Sequence, residues 1–365
     1  MRKAYIEEQK SRHGRKAVVV LPVHYPREIL TAMNLLAVEL WGPPGTPRGP
    51  EAGRLQTYVC AVVRNALAFI AAGGADVADA ALFPHTCDSV QGLATLAPDF
   101  GGWTKPAIRF IHPKGPLRAS SRAFIRAEMV ALAESLTALG AVTPTDDALR
   151  DAIRLHREID ALKLRLADRR AQLPVTDAEY YRVLRRGEYL WPTDHLSELQ
   201  EMERKLSDTP AQKGIPIFIT GYVPEPMTLF DVVAEAGAYV AGDDYAAVGR
   251  RVNARTDLNL ANPWDALVEL YDSAAPCPTR SSEQAPRLAH LDAQLQRCGA
   301  RGVIIHEQKF CEPQLFDVPA LRRHFAARKI PQLYLEGELE SDFSGQARTR
   351  IEAFVETLST PRSAA

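Results

Sequence analysis

Cysteine is scarce in this sequence, and long apolar runs are missing from it. Five cysteines are spread over 365 residues, which is too few for the disulfide framework of a small secreted protein. No stretch approaches the roughly 20 apolar residues that a membrane-spanning helix needs, and the first residues are too polar for a secretory signal. These absences predict a cytoplasmic protein that keeps its thiols reduced and does not enter a membrane.

Excess charge of either sign is also missing. The chain has 44 basic and 45 acidic residues and a formal net charge of −1, so it has no general attraction for nucleic acid or for an anionic membrane. At 365 residues it is long enough for two hydrophobic cores, because single cores rarely grow beyond roughly 250–300 residues.

Short apolar runs alternate with patterns of helical spacing in two parts of the chain. Runs at 17–22, 80–84, 214–222 and 302–306 are typical of buried parallel strands, and this alternation predicts an α/β fold in which helices cover both faces of a parallel sheet. Between these two parts of the chain, from about residue 120 to residue 206, the sequence pattern is almost wholly helical. We therefore predict an N-terminal α/β lobe over 1–118, a helical connector over 119–210 and a C-terminal α/β lobe over 211–365.

Two local predictions concern the first lobe. A helix is expected over 26–36, because Pro26 is suited to a first helical position. A second helix is expected over 55–72, since its apolar residues recur at helical spacing and Gly73-Gly74 ends it. This second helix would contain Cys60.

Cys87 and Cys311 each follow a predicted strand closely. Open α/β sheets bind ligands beyond the carboxyl ends of their strands, so these thiols could converge with Cys60 and bind iron, because iron–sulfur clusters favour thiolate ligands. Simple burial is the alternative, since cysteine is among the residues most often buried. We assign no ligand role to Cys277 or Cys298.

A family resemblance extends along nearly the whole chain. The sequence resembles the 2-hydroxyacyl-CoA dehydratase and benzoyl-CoA reductase superfamily, as a cluster-binding subunit of the D-component type. The similar segments follow the family's order and lie at 22–30 with Trp41-Gly42, 55–64, 83–90, 214–221, 310–312, 330–336 and 345–354.

The resemblance implies two Rossmann-like lobes holding one [4Fe-4S] cluster on Cys60, Cys87 and Cys311. It implies two protein partners, a homologous second catalytic subunit and an ATP-hydrolysing iron–sulfur activase that donates electrons. It further implies an acyl-CoA substrate that receives one low-potential electron and becomes a ketyl radical anion. The sequence contains no GxxxxGK(S/T) loop, so we expect another chain to bind the ATP.

The same resemblance leaves several functions open. We expect reduction of an aromatic acyl-CoA, as in benzoyl-CoA reductase, with dehydration of an (R)-2-hydroxyacyl-CoA as the alternative. An electron-relay subunit that binds no substrate and a cluster-free α/β binding protein are the other hypotheses. His85 and His306 lie near two of the cysteines and are candidate catalytic residues, although loop histidines bonded to backbone or water would look the same in the sequence.

Overall fold

The computed structural model describes residues 2–47, 49–255, 257–280, 282–339 and 345–359. Residues 256, 281, 340–344 and 360–365 of the predicted C-terminal lobe therefore lie outside the described residues. The chain forms two compact units. Unit 1 comprises Met1–Asp160, Arg186–Ser197 and Asn253–Ala274, and unit 2 comprises Ala161–Arg185, Glu198–Val252 and Ala275–Ala365.

Each unit contains one four-stranded sheet in which every strand pairing is parallel. The strands are β1 Lys16–Val20, β2 Leu35–Glu39, β3 Ala80–Pro84, β4 Ala107–Phe110, β5 Ile215–Gly221, β6 Ala238–Tyr245, β7 Gly302–Gln308 and β8 Gln332–Gly337. Their order is β2-β1-β3-β4 in unit 1 and β6-β5-β7-β8 in unit 2. The two sheets thus repeat one topology, and the prediction of an α/β fold with two Rossmann-like lobes is confirmed.

Thirteen α-helices occur in the described part of the chain, and none of them combines the length and the apolar character of a membrane span. They are α1 Arg2–His13, α2 Arg27–Ala32, α3 Ala61–Ala71, α4 Asp88–Phe100, α5 Ala119–Ala138, α6 Asp146–Asp168, α7 Asp177–Arg186, α8 Pro192–Glu203, α9 Thr228–Glu235, α10 Pro263–Asp272, α11 Gln284–Cys298, α12 Glu312–Ala327 and α13 Gly345–Ser359. The separate connector over 119–210 remains a prediction.

Apolar side chains from the sheets and their covering helices form the cores. In unit 1, Val18 and Leu82 from the sheet pack with residues of α2, α5, α6 and α10. In unit 2, Val303 and Ile305 of β7 pack against α11 and α12. Strands buried on both faces explain the continuous apolar runs of the sequence, such as the fully buried β3.

Both local helix predictions for the first lobe were wrong at their boundaries. The first helix ends at Ala32 because Asn34 adopts a left-handed conformation (φ 56°), and Leu35 already begins β2. The second helix begins only at Ala61, so Cys60 precedes the helix instead of lying within it. Periodicity alone extended both helices, because it cannot detect the backbone conformation that ends a helix or starts one.

Candidate functional site

Two of the predicted cluster cysteines meet at the carboxyl edge of the sheet in unit 1. Cys60 is the residue before α3 and Cys87 is the residue before α4, and both have extended backbone conformations. Neither thiol is in a disulfide. The sulfur atoms are close enough that negative charge on Cys87 raises the pKa of Cys60. Unit 1 therefore presents a thiol pair on two adjacent helix N-termini.

Burial is the main influence on this pair. Desolvation, with a smaller contribution from Cys87, raises the pKa of Cys60 to about 12, and desolvation also raises the pKa of Cys87. Backbone N–H groups at the start of α3 and α4, together with Arg64 near Cys60 and Lys114 near Cys87, act in the opposite direction. Burial thus favours the neutral thiols, whereas the N–H groups and the two cations are contacts that stabilise the thiolate forms.

Gly42 lets the loop after β2 approach the first turn of α3, which directly follows Cys60. Gly42 has a left-handed backbone (φ 67°), and a Cβ on it would lie 2.8 Å from the Cα of Val62 and nearer still to the Val62 carbonyl oxygen. The Asn65 amide, which is fully buried, donates to the carbonyl groups of Gly42 and Pro43 at 3.5 and 3.4 Å. The first turn of α3, and with it Cys60, is therefore packed directly on this loop.

A buried threonine fixes the loops that follow the three strands nearest Cys87. The Thr86 hydroxyl donates to the carbonyl oxygen of Val23 at 2.9 Å and accepts from the Val23 N–H at 3.2 Å. Its own carbonyl accepts from Lys114 Nζ at 2.7 Å. The loops after β1, β3 and β4 are thus tied to one residue that immediately precedes Cys87.

Cys311 lies in unit 2, at the position that corresponds to Cys87. Cys87 lies three residues after the end of β3 and directly before α4, and Cys311 lies three residues after the end of β7 and directly before α12. Cys311 is buried, and Phe310 before it has a left-handed backbone (φ 64°). The repeated sheet topology therefore places one cysteine at the equivalent helix N-terminus of each unit. Across the residues that the structure describes, no group of three His, Cys, Asp or Glu side chains is arranged to hold a metal ion.

The two predicted catalytic histidines have different surroundings. His85 directly follows β3, is half-buried, and lies 3.7 Å from Asp88 between Nε2 and Oδ1. His306 lies within β7, is 1% exposed, and its Nδ1 is 2.8 Å from the Tyr245 hydroxyl. Burial lowers the pKa of His306 to about 4, so its ring is neutral at pH 7.

Three residues near the thiol pair were missed in the sequence. His24 follows β1 and His112 follows β4, and the His112 ring lies 5.4 Å from that of His24 and 6.5 Å from that of His85 between centroids. The hydroxyl of Tyr271 in α10 forms a hydrogen bond with His112 Nδ1. His112 could have been found, because it follows a predicted strand as His85 does. Tyr271 carries no local signal, since it lies 159 residues further along the chain.

Unit 2 has a buried ionic network at the carboxyl edge of its own sheet. Asp244 accepts from Arg250 at 2.8 Å and from Arg287 at 2.5 Å, and all three side chains are at most 2% exposed. Arg250 also donates to the Cys277 sulfur at 3.2 Å, and the nearby guanidinium lowers the pKa of this thiol despite the opposing effect of its burial. Cys277 thus belongs to this network.

Residues 22–358 match the family model described as 2-hydroxyglutaryl-CoA dehydratase, D-component. The chain belongs to this family. It is 24% identical over 360 residues to the lactoyl-CoA dehydratase subunit beta of Anaerotignum propionicum, a match that covers 98% of this chain and 95% of the relative.

Two further relatives are named for the two reactions that the sequence analysis considered, one for dehydration and one for reduction. The (R)-2-hydroxyglutaryl-CoA dehydratase subunit beta of Acidaminococcus fermentans is 24% identical over 94% of this chain and 93% of its own length. A subunit of the benzoyl-CoA reductase of Thauera aromatica is 27% identical over 88% of this chain and 85% of its own length. Members of the D-component family are thus subunits of enzymes that act on acyl-CoA thioesters.

The residues of this D-component chain fit part of an iron–sulfur ligand set. Thiolates are the usual protein ligands of such clusters, and buried Cys60 and half-buried Cys87 would supply two of them from one edge of the sheet. Backbone N–H groups directed at the sulfur atoms are the kind of contact that tunes cluster potential.

Proposed function

We propose that this chain is the [4Fe-4S]-bearing subunit of a heteromeric enzyme that transfers single electrons to an acyl-CoA thioester, with Cys60, Cys87 and Cys311 as cluster ligands. The observation that carries the proposal is the proximity of buried Cys60 to half-buried Cys87 at two helix N-termini, in a chain of the D-component family. Cys311 is included because it has the corresponding position in unit 2. When bound, the cluster would supply electrons of low potential.

Reduction of an aromatic acyl-CoA, of the benzoyl-CoA reductase type, is the reaction that we infer. Ring reduction consumes one proton for each electron, and the edge that bears the thiol pair also bears His24, His85 and His112. These imidazoles are the chain's own candidates for holding and delivering protons. The similarity to the benzoyl-CoA reductase relative adds support.

Dehydration of an (R)-2-hydroxyacyl-CoA is the second candidate. It is favoured by the coverage of the dehydratase relatives, which match 94–98% of this chain. In that reaction an imidazole at the same edge would protonate the departing hydroxyl group.

The partners follow from the same proposal. The relatives' names describe subunits, so we propose a homologous second catalytic subunit for this chain. An ATP-hydrolysing iron–sulfur activase would donate the electrons. The acyl-CoA would bind at the carboxyl edge of the sheet in unit 1, where open α/β sheets accept ligands.

The first test measures iron, acid-labile sulfide and the EPR spectrum of the anaerobically purified chain. Cys60→Ala, Cys87→Ala and Cys311→Ala are each compared with Cys298→Ala, a matched control because Cys298 ends α11 outside the proposed ligand set. We expect roughly four irons per chain, lost in the three variants and retained in the control. Iron-free protein, or equal iron in all four variants, would refute the ligand assignment.

The second test separates the reactions. The enzyme with its second subunit and activase is given benzoyl-CoA or lactoyl-CoA, and products are identified by mass spectrometry. Turnover of benzoyl-CoA with uptake of two electrons supports the reductase, and redox-neutral loss of water from lactoyl-CoA supports the dehydratase. A chain that holds its cluster while the partner alone turns over either thioester would instead be an electron relay.

A further inference from the structure

Three strands that are neighbours in the sheet of unit 1 each deliver a histidine to the same carboxyl edge. His24 follows β1, His85 follows β3 and His112 follows β4, and these strands are adjacent in the order β1-β3-β4. The strand order reverses direction at this point, because β2 lies on one side of β1 and β3 on the other. His24 therefore flanks the switch point of the sheet, where ligands of open α/β folds bind.

The backbone around His24 is held in an unusual conformation. His24 has a left-handed φ of 63°, a conformation that non-glycine residues seldom adopt. The two hydrogen bonds between Val23 and Thr86 tie this loop to the residue before Cys87. The fold thus holds a residue with a left-handed backbone in the loop that is bonded to the residue before Cys87, and His24 is half-buried there.

The His24 ring packs against a second ring whose orientation is fixed. The planes of His24 and His112 are 75° apart, and His112 is 1% exposed. Tyr271 donates its one hydroxyl proton to the Pro113 carbonyl at 2.9 Å. The same oxygen lies 2.8 Å from His112 Nδ1, which is itself 3.4 Å from the Pro113 carbonyl oxygen. Tyr271, His112 and Pro113 therefore form one hydrogen-bonded cluster that holds the His112 ring.

Charged and titratable groups lie on each of the neighbouring elements. They include Tyr25 beside His24, Arg27 and Glu28 on α2, His85, Cys87 and Asp88 after β3, Lys114 after β4, and Asp265, Glu269, Tyr271 and Asp272 on α10. Lys114 is fixed by its bond to the Thr86 carbonyl, and Glu28 by Arg157 at 3.3 Å. These contacts hold both charges in place around the imidazoles.

We propose that His24 is a catalytic proton donor for the acyl group, and that His112 and Tyr271 are positioning residues that hold its ring. In the step, a ring N–H bond of protonated His24 breaks and the proton bonds to a carbon or oxygen atom of the acyl group. The N–H bonding pair stays on nitrogen, and the neutral imidazole regains a proton from water. The inference rests on the proposed function, because that function supplies the acyl-CoA.

The test uses the complete enzyme with its second subunit and activase, with benzoyl-CoA and lactoyl-CoA as probes. His24→Asn is the informative variant, because asparagine tolerates a left-handed backbone and cannot donate as an acid. We expect kcat to fall by about 10²–10⁴-fold while KM and iron content are retained. His24→Ala should recover part of its turnover when imidazole is added to the buffer. His13→Asn, at the exposed end of α1, is the control.

The positioning residues have a different expected signature. Tyr271→Phe and His112→Asn should lower kcat less than His24→Asn does and should shift the pH profile of kcat, because both variants alter the environment of the His24 ring. Wild-type turnover and an unchanged pH profile in His24→Asn would overturn the inference, as would a loss of iron in that variant. A wild-type enzyme that lacks iron, or that converts neither thioester, would overturn the proposed function and the proton role together.

Discussion

Replacement of Gly42 by alanine tests how the loop before α3 positions Cys60. The added Cβ would lie 2.8 Å from the Val62 Cα, whereas carbon atoms pack at about 3.5–4.0 Å, so the first turn of α3 must move by roughly 0.7 Å or more. The left-handed backbone costs an alanine about 1–2 kcal/mol. Overpacking of this kind adds about 1–3 kcal/mol.

Gly45 in the same loop provides a matched control. It also has a left-handed backbone (φ 71°), but a Cβ on it would meet no atom within 4 Å. Gly45→Ala should therefore lower the free energy of unfolding only by the cost of a left-handed backbone at alanine. The difference between the two variants isolates the contact with α3, and we expect it to be about 1–3 kcal/mol.

The assay has two readouts, urea unfolding of the purified chain and the iron content after anaerobic purification. Gly42→Ala should unfold at lower urea than Gly45→Ala and should retain less iron, since Cys60 directly precedes the displaced helix. If both variants show the same unfolding midpoint and the same iron content, the close approach of Gly42 does not position Cys60.

Three predictions concern buried titratable groups in unit 2. Asp244→Asn leaves Arg250 and Arg287 without their shared carboxylate and should lower the free energy of unfolding by about 3–5 kcal/mol; an effect below about 1 kcal/mol in urea unfolding would contradict this. Burial raises the pKa of Glu307 from 4.5 to about 8, so the folded state binds the proton more tightly and stability should fall by on the order of 5 kcal/mol as pH rises from about 4.5 to 8. Glu307→Gln should remove that fall, and unfolding curves of equal pH slope in both proteins would refute the assignment. For His306, burial lowers the pKa from 6.5 to about 4, so the unfolded state binds the proton more tightly and stability should fall by on the order of 3 kcal/mol as pH drops from about 6.5 to 4. His306→Gln should flatten this acid limb of the stability curve, which thermal unfolding between pH 4 and pH 7 would detect.

Much of the fold could be predicted from local sequence patterns. The apolar residues of β3 and β7 are buried on both faces of their sheets, so they form uninterrupted runs whatever the rest of the chain does. Short runs of this kind with helices between them are compatible with few arrangements besides a parallel sheet. The helix boundaries were harder to predict, because Asn34 and Cys60 differ from their neighbours in backbone conformation and not in hydrophobicity.

The cysteines of interest could also be chosen from sequence. A thiol shortly after a buried strand has a fixed place at the carboxyl edge of a sheet, and this holds for Cys87 and for Cys311. Their equivalence was hidden, because the two units share strand order but not an evident sequence repeat.

The sequence by itself therefore determined the fold class and the residue types available for chemistry, since both depend on short segments of chain. Tertiary structure decided which of those residues meet. The proximity of Cys60 to Cys87, the contact of Gly42 with α3 and the bond from Tyr271 to His112 all join residues that are distant in sequence. Such contacts depend on how separate elements pack, and no local pattern of residues contains that information.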